Sequence, residues 1–194
     1  VKKAYKDLIN YLNIDTIVYV DGGIDSIMHG DEEGCATFLE DTVSLQGSKF
    51  ADVKRVLAAI GFGTETEDGL NHYRALENIS TLTKTNGFLG SRSLTKAEGG
   101  FKLMKGAYEY ITSKSESTSH ITPKIIQAIE GEFGGPFFVN ILMGMYFFFN
   151  PDKVLEQNIM TTEVPVVSPK NSLDEFFEFS DSLIPRMFNS SKTW

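Results

Sequence analysis

Between residues 21 and 34 the chain reads DGGIDSIMHGDEEG, setting five carboxylates (Asp21, Asp25, Asp31, Glu32, Glu33) among four glycines. Like charges this close raise one another's pKa, so the stretch is either a solvated acidic turn or a place where a counterion collects. Hard oxygen ligands suit Mg²⁺, Mn²⁺ or Ca²⁺, and glycine admits positive φ angles that let backbone groups join a coordination shell. The spacing is not that of a calcium loop. The candidate ligands of a divalent cation, Mg²⁺ or Mn²⁺, are Asp21, Asp25, Asp31 and Glu32, with a further acidic pair, Glu40-Asp41, just beyond. His29 is the candidate proton carrier of the stretch, and Asp25 is its candidate catalytic carboxylate.

Gly22, Gly23 and Ser26 are candidate ligand contacts. The segment GGIDS resembles the SGGxDS loop of ATP pyrophosphatases, where a glycine turn after a strand wraps pyrophosphate with backbone N–H groups. Here Asp21 stands in the place of the serine and would repel phosphate, and IMHGDEEG does not open the expected helix directly. A second glycine turn, GFGTETEDG, holds Gly61, Gly63, Glu65, Glu67 and Asp68 and precedes His72, a candidate general base. Helical spacing carries Glu77 off the face of His72 and brings Asn78 only partly back, so these two ligand candidates need not share its site. Glu130 lies in a third acidic glycine turn, EGEFGG. If the three turns converge, they line a polar pocket. His120 belongs to a helix cap, Cys35 has no Cys-His spacing around it, and Ser26 lacks the nucleophile-elbow pattern of hydrolases.

The elements that must position these groups follow from periodicity. Apolar residues at Ala4, Leu8, Ile9 and Leu12 predict a helix over residues 2 to 13. Thr16 to Val20 is apolar on both faces, as a buried parallel strand would be, and the acidic stretch follows it. Lys54 to Ile60 predicts a second strand, although its alanines also allow a helix, and it ends in Gly61-Phe62-Gly63. Helices are expected over residues 71 to 83, around Phe101, Met104, Tyr108 and Ile111, from Thr122 to Gly131, and after Asn150-Pro151. Phe137 to Phe149 predicts a buried strand or strand pair kinked at Gly144, with Phe147, Phe148 and Phe149 in the core. Thr162 to Asn171, with three prolines, predicts an extended connector, and Leu173, Phe176, Phe177, Ser180 and Ile184 a closing helix. The alternation predicts one α/β domain over residues 1–194, a Rossmann-like layered fold with a mostly parallel sheet flanked by helices. In such sheets ligands gather beyond the carboxyl ends of the strands.

The net charge of -8 argues against a nucleic-acid partner, which calls for a basic face. No apolar run is long enough to span a bilayer, so no membrane partner is expected. One cysteine and an N-terminus without a long apolar core predict a cytoplasmic location.

Taken together, VDGGIDSIMHGDEEG, EDTVSL, IGFGTETEDGLNHYRALENIS, the NGFLGSRSL loop, IIQAIEGEFG and MGMYFFF resemble the family catalogued as domain of unknown function number 1152. The resemblance implies a Rossmann-like protein and supplies no reaction. It also implies that family members begin further upstream with another strand and a GGGGD-like turn, so that a chain opening on Val1 is the C-terminal portion of a longer domain. Members also carry a longer stretch after EGEFG, where this chain passes directly to Gly135-Pro136-Phe137. The functional expectation is a small-molecule enzyme with a polar, divalent-metal-assisted site for a phosphorylated or nucleotide-like substrate. A non-catalytic nucleotide or small-ligand binding module is the alternative, and a structural or assembly protein, including a homo-oligomer, is a third.

Overall fold

A computed structural model describes residues 1–35, 37–114 and 119–158. The expected connector at Thr162 to Asn171 and the closing helix through Ile184 lie outside the described residues. The elements run α1 (Lys2–Leu12), β1 (Thr16–Gly22), α2 (Phe38–Gly47), β2 (Lys54–Ile60), α3 (His72–Lys84), β3 (Phe88–Ser93), α4 (Gly99–Thr112), α5 (Thr122–Glu130), β4 (Met145–Phe149) and α6 (Pro151–Gln157). Short 3-10 turns occupy Asp25–Ile27, Thr64–Asp68 and Ile141–Gly144.

The four strands form one sheet in the order β1-β2-β4-β3. β1 and β2 are parallel from Thr16↔Lys54 to Gly22↔Ile60, whereas β4 runs antiparallel to both β2 and β3. The fold is α/β, and the expectation of a mostly parallel sheet is corrected: one of its three pairings is parallel. The reason is positional. β1, β2 and β3 all point one way, but β4, inserted between β2 and β3, turns two pairings antiparallel. β3 replaces the loop expected at NGFLGSRSL: its glycine and serines hide a strand that is exposed along most of its length.

Alternation along the strands divides the core into two layers. Leu57, Ala59, Phe147 and Phe149 face α2, α3 and α6 through Phe38, Leu45, Ala75, Leu82, Val154 and Leu155. On the opposite face, Ile60 and Tyr146 meet Phe101 of α4 and Ile125, Ile126 and Ile129 of α5. Each fully buried Leu, Ile, Val or Phe side chain among them contributes about 1.5–3 kcal/mol. The second layer does not reach β1. This edge strand therefore leaves Val18 and Val20 exposed, which corrects the reading of Thr16 to Val20 as buried on both faces. α1 likewise forms as expected, but Leu8 and Leu12 are exposed.

The apolar run is not one strand either. Phe137, Phe138 and Ile141 are exposed, Ile141–Gly144 is a 3-10 turn, and the strand begins only at Met145. The helix ends follow the sequence signals: Asn71 and Asn150 accept hydrogen bonds from Tyr73 N and Asp152 N, and Gly131 closes α5 in the left-handed region. Among the described residues no helix is long and apolar enough to cross a membrane.

Candidate functional site

Because β1 and β2 are parallel, both deliver their carboxyl ends to the same edge of the sheet, each followed by a glycine turn. Asp21 is the penultimate residue of β1, and Asp25 opens the 3-10 turn beyond it. Asp41 stands in the first turn of α2. One carboxylate oxygen from each of these three lies within 4.8 Å of the others. Glu65, in the turn after β2, joins them from the other strand and interacts directly with Asp25. Gly61, at φ 102°, makes that turn possible, since Thr64 then bonds back to the Gly61 carbonyl at 2.7 Å.

Three of the four carboxylates are held on one side. Ser26 Oγ donates to Asp21 Oδ2 at 2.5 Å, and Thr37 donates to Asp25 Oδ2 through N (2.9 Å) and Oγ1 (3.0 Å). Ile24 N donates to Glu65 Oε2 at 2.6 Å. A Cβ on Gly23 would sit 2.6 Å from the Glu65 carboxyl carbon, so only glycine lets that side chain lie across the chain here. Asp25 Oδ1 and Asp41 Oδ2, by contrast, are buried with no donor at all. No Lys or Arg among the described residues forms an ion pair with any of the four. A recess of about 30 Å³, bordered by Tyr19, Asp21, Asp41, Ser44 and Leu57, opens beside the group, enough for one water or ion.

Burial dominates the electrostatics. It pushes Asp21 up to about 6, with the Ser26 hydrogen bond opposing and Asp25 reinforcing. Asp41 rises to about 8 through burial and then the charges of Asp21, Asp25 and Glu40. Glu65 is raised by burial and Asp25, against the Ile24 amide. Cys35, half-buried and ringed by Glu32, Asp25 and Glu65, is also pushed up by burial and then by those charges, which leaves it a protonated, unreactive thiol.

The four carboxylates proposed from the sequence as one ligand set are thus divided. Asp21 and Asp25 join Asp41 and Glu65, while Asp31 and Glu32 lie with His29, each offering an atom within 4.8 Å of the others. Glu32 is already engaged: it accepts from His29 N at 3.0 Å, Gly30 N at 2.8 Å and Asn78 Nδ2 at 3.3 Å. His29 Nε2 is buried without a partner. Asn78 is buried and also reaches Met28 Sδ, so it ties α3 to the acidic loop. Glu77 is exposed and pairs with Arg74 at 2.7 Å. Glu130 turns to Lys105 of α4, so the third glycine turn holds an inter-helix ion pair rather than joining the group. A Cβ added at Gly22 would lie 3.8 Å from Ile121 and away from the carboxylates, and His72 and Gly63 line a separate cavity.

Asp41 and Glu65 are the members that linear spacing does not reveal. A signal for Asp41 was present in principle: Phe38, Thr42 and Leu45 are at helical spacing and fix which side of α2 turns inward. Nothing local marks Glu65, because only the parallel pairing of β1 with β2 brings it across.

The family described as Protein of unknown function (DUF1152) matches residues 1–178. No curated protein matches the chain. No solved structure matches it either.

Proposed function

The chain belongs to the DUF1152 family, whose description assigns no activity, and from its own geometry we propose that Asp21, Asp25 and Asp41, with Glu65 beside them, hold a divalent cation, Mg²⁺ or Mn²⁺, in a metal-assisted enzyme for a small phosphorylated or nucleotide-like substrate. The observation that carries the reading is the buried pair of oxygens, Asp25 Oδ1 and Asp41 Oδ2, that meet no donor. Carboxylates removed from water without a counter-charge are strongly unfavourable, and a cation bound by oxygen ligands relieves several at once. Ser26, Thr37 and the Ile24 amide fix the outer oxygens and so aim the inner ones. A substrate phosphate would be drawn to the cation, which offsets the repulsion from Asp21. The location, beyond the carboxyl ends of β1 and β2, is where ligands collect in open α/β sheets. His29, which lies with Asp31 and Glu32 rather than in the cation group and whose buried Nε2 meets no partner, is the proton carrier of this reading.

Calorimetric titration of Mg²⁺ and Mn²⁺ into the wild type and Asp25→Asn tests it. Saturable binding that disappears in the variant is the expected result. Absence of binding in the wild type, or equal binding in both proteins, overturns the metal assignment.

A further inference from the structure

A second cavity, of about 510 Å³, has walls that include Phe62, Thr66, His72, Phe138, Ile141 and Leu142. The volume is that of a small-molecule site, and the lining is mainly apolar with a few polar groups. None of its lining residues is Asp, Glu, Lys or Arg. A charged group has no counter-charge there, whereas an uncharged ring finds matching surface.

The polar groups in the wall are not equivalent. Thr66 Oγ1 donates to the Gly63 carbonyl at 2.8 Å. Asn140, also in the wall, donates to the Phe138 carbonyl at 3.1 Å and accepts from Leu142 N at 3.0 Å. Both are committed to the protein. The His72 imidazole has no hydrogen bond among the described residues, and its two nitrogens can each offer a donor or an acceptor to a guest.

Phe138 supplies the second sign of purpose. Its φ is 51°, a left-handed conformation that a bulky residue rarely adopts, and its side chain is 65% exposed. A small hairpin holds it there. Gly134 N donates to the Val139 carbonyl at 2.8 Å, Val139 N donates back at 3.0 Å, and Val139 is anchored in a buried cluster with Ala128 and Met143. Strained residues persist where surrounding structure over-determines them, and here the outcome is an aromatic ring displayed at a cavity wall.

We propose that this cavity binds the uncharged planar ring of a small heteroaromatic ligand, with His72 as its hydrogen-bonding partner and Phe138 as its outer wall. The inference stands without the cation, since no residue of the acidic group lines the cavity. Adenosine is a suitable probe: it has a planar hydrogen-bonding ring and no phosphate to seek a metal. Saturation-transfer NMR on the full chain in metal-free buffer should show transfer to the purine protons. Phe138→Gly, which relieves the left-handed strain and so should keep the melting temperature, is expected to weaken binding about tenfold by removing an aromatic wall. His72→Leu should weaken it as well, and Asp25→Asn should leave it unchanged. Lack of transfer in the wild type, or equal affinity in Phe138→Gly with its melting temperature intact, overturns the proposal. Loss of binding in Asp25→Asn would relocate the ring to the acidic group and equally overturn it.

Discussion

Two of the regions in which the described residues bury charge do it in opposite ways. At the amino end of β2, Arg55 is 9% exposed in its side chain, and its Nη2 donates to both oxygens of Asp152 at 2.7 Å. At the carboxyl end of the same parallel pair, Asp21, Asp25, Asp41 and Glu65 converge with no cation among the described residues. The fold supplies a partner for a buried charge where the role is structural. Where it leaves buried carboxylates facing one another, the missing charge must come from protons or from a bound ion.

The pH dependence separates the two ends most strongly. Raised carboxylates bind protons more tightly in the folded state, so their contribution to stability is full below the unfolded value near 3.8. It is lost as pH rises, through about 6 for Asp21 and about 8 for Asp41. Metal-free protein should therefore melt at progressively lower temperature from pH 5 to pH 9, and excess Mn²⁺ should flatten that slope. A metal-free melting temperature that is level or rising across this range would show that the acidic group is not closed to water.

Next in size is the structural pair. Asp152→Ala leaves Arg55 buried and alone, and should destabilise by about 2 kcal/mol, below the full value for a buried pair because Asp152 is partly exposed. Chemical denaturation with and without Mn²⁺ should show the same loss. Asp41→Asn should act with the opposite sign. Its amide can give Asp25 Oδ1 the donor it lacks, so metal-free stability at pH 8 rises by about 1 kcal/mol while stabilisation by Mn²⁺ vanishes. If Asp41→Asn destabilised like Asp152→Ala, the contrast between the two ends would fail.

The sequence carries the ends of α3, α5 and α6 well, because caps are local: Asn71, Pro123, Gly131 and Asn150 mark their positions without help from the rest of the chain, whereas α2, which lacks such marks, is not read as a helix at all. The sheet order was not local information. β3 has the composition of a loop, and its place beside β4 depends on a pairing that spans the α4 and α5 layer. The same division holds at the site. Asp21 and Asp25 could be read from one short stretch, but Asp41 needs the inward face of α2 and Glu65 needs the register Gly22↔Ile60. Proximity in sequence groups Asp31 and Glu32 with Asp21, but beyond the intervening 3-10 turn they lie with His29 instead.

The smallest expected effect sharpens the role of Glu65 without removing any carboxylate. Gly23 is not in the left-handed region, so Gly23→Ala introduces no backbone strain, but its Cβ would meet the Glu65 carboxyl, whose oxygens would lie 2.7 Å away. The end of a glutamate can swing aside, and in doing so it gives up the Ile24 amide at 2.6 Å, a hydrogen bond to a charged group worth about 1.5–3 kcal/mol when intact. Part of that loss is recovered as the displaced carboxylate reaches water, so the net stability change should stay near 1 kcal/mol. Mn²⁺ affinity should fall severalfold in titration calorimetry if Glu65 helps to neutralise the cation, with Asp21, Asp25 and Asp41 untouched. Unchanged affinity in Gly23→Ala would restrict the cation set to the three aspartates and leave Glu65 as a clasp between the two glycine turns.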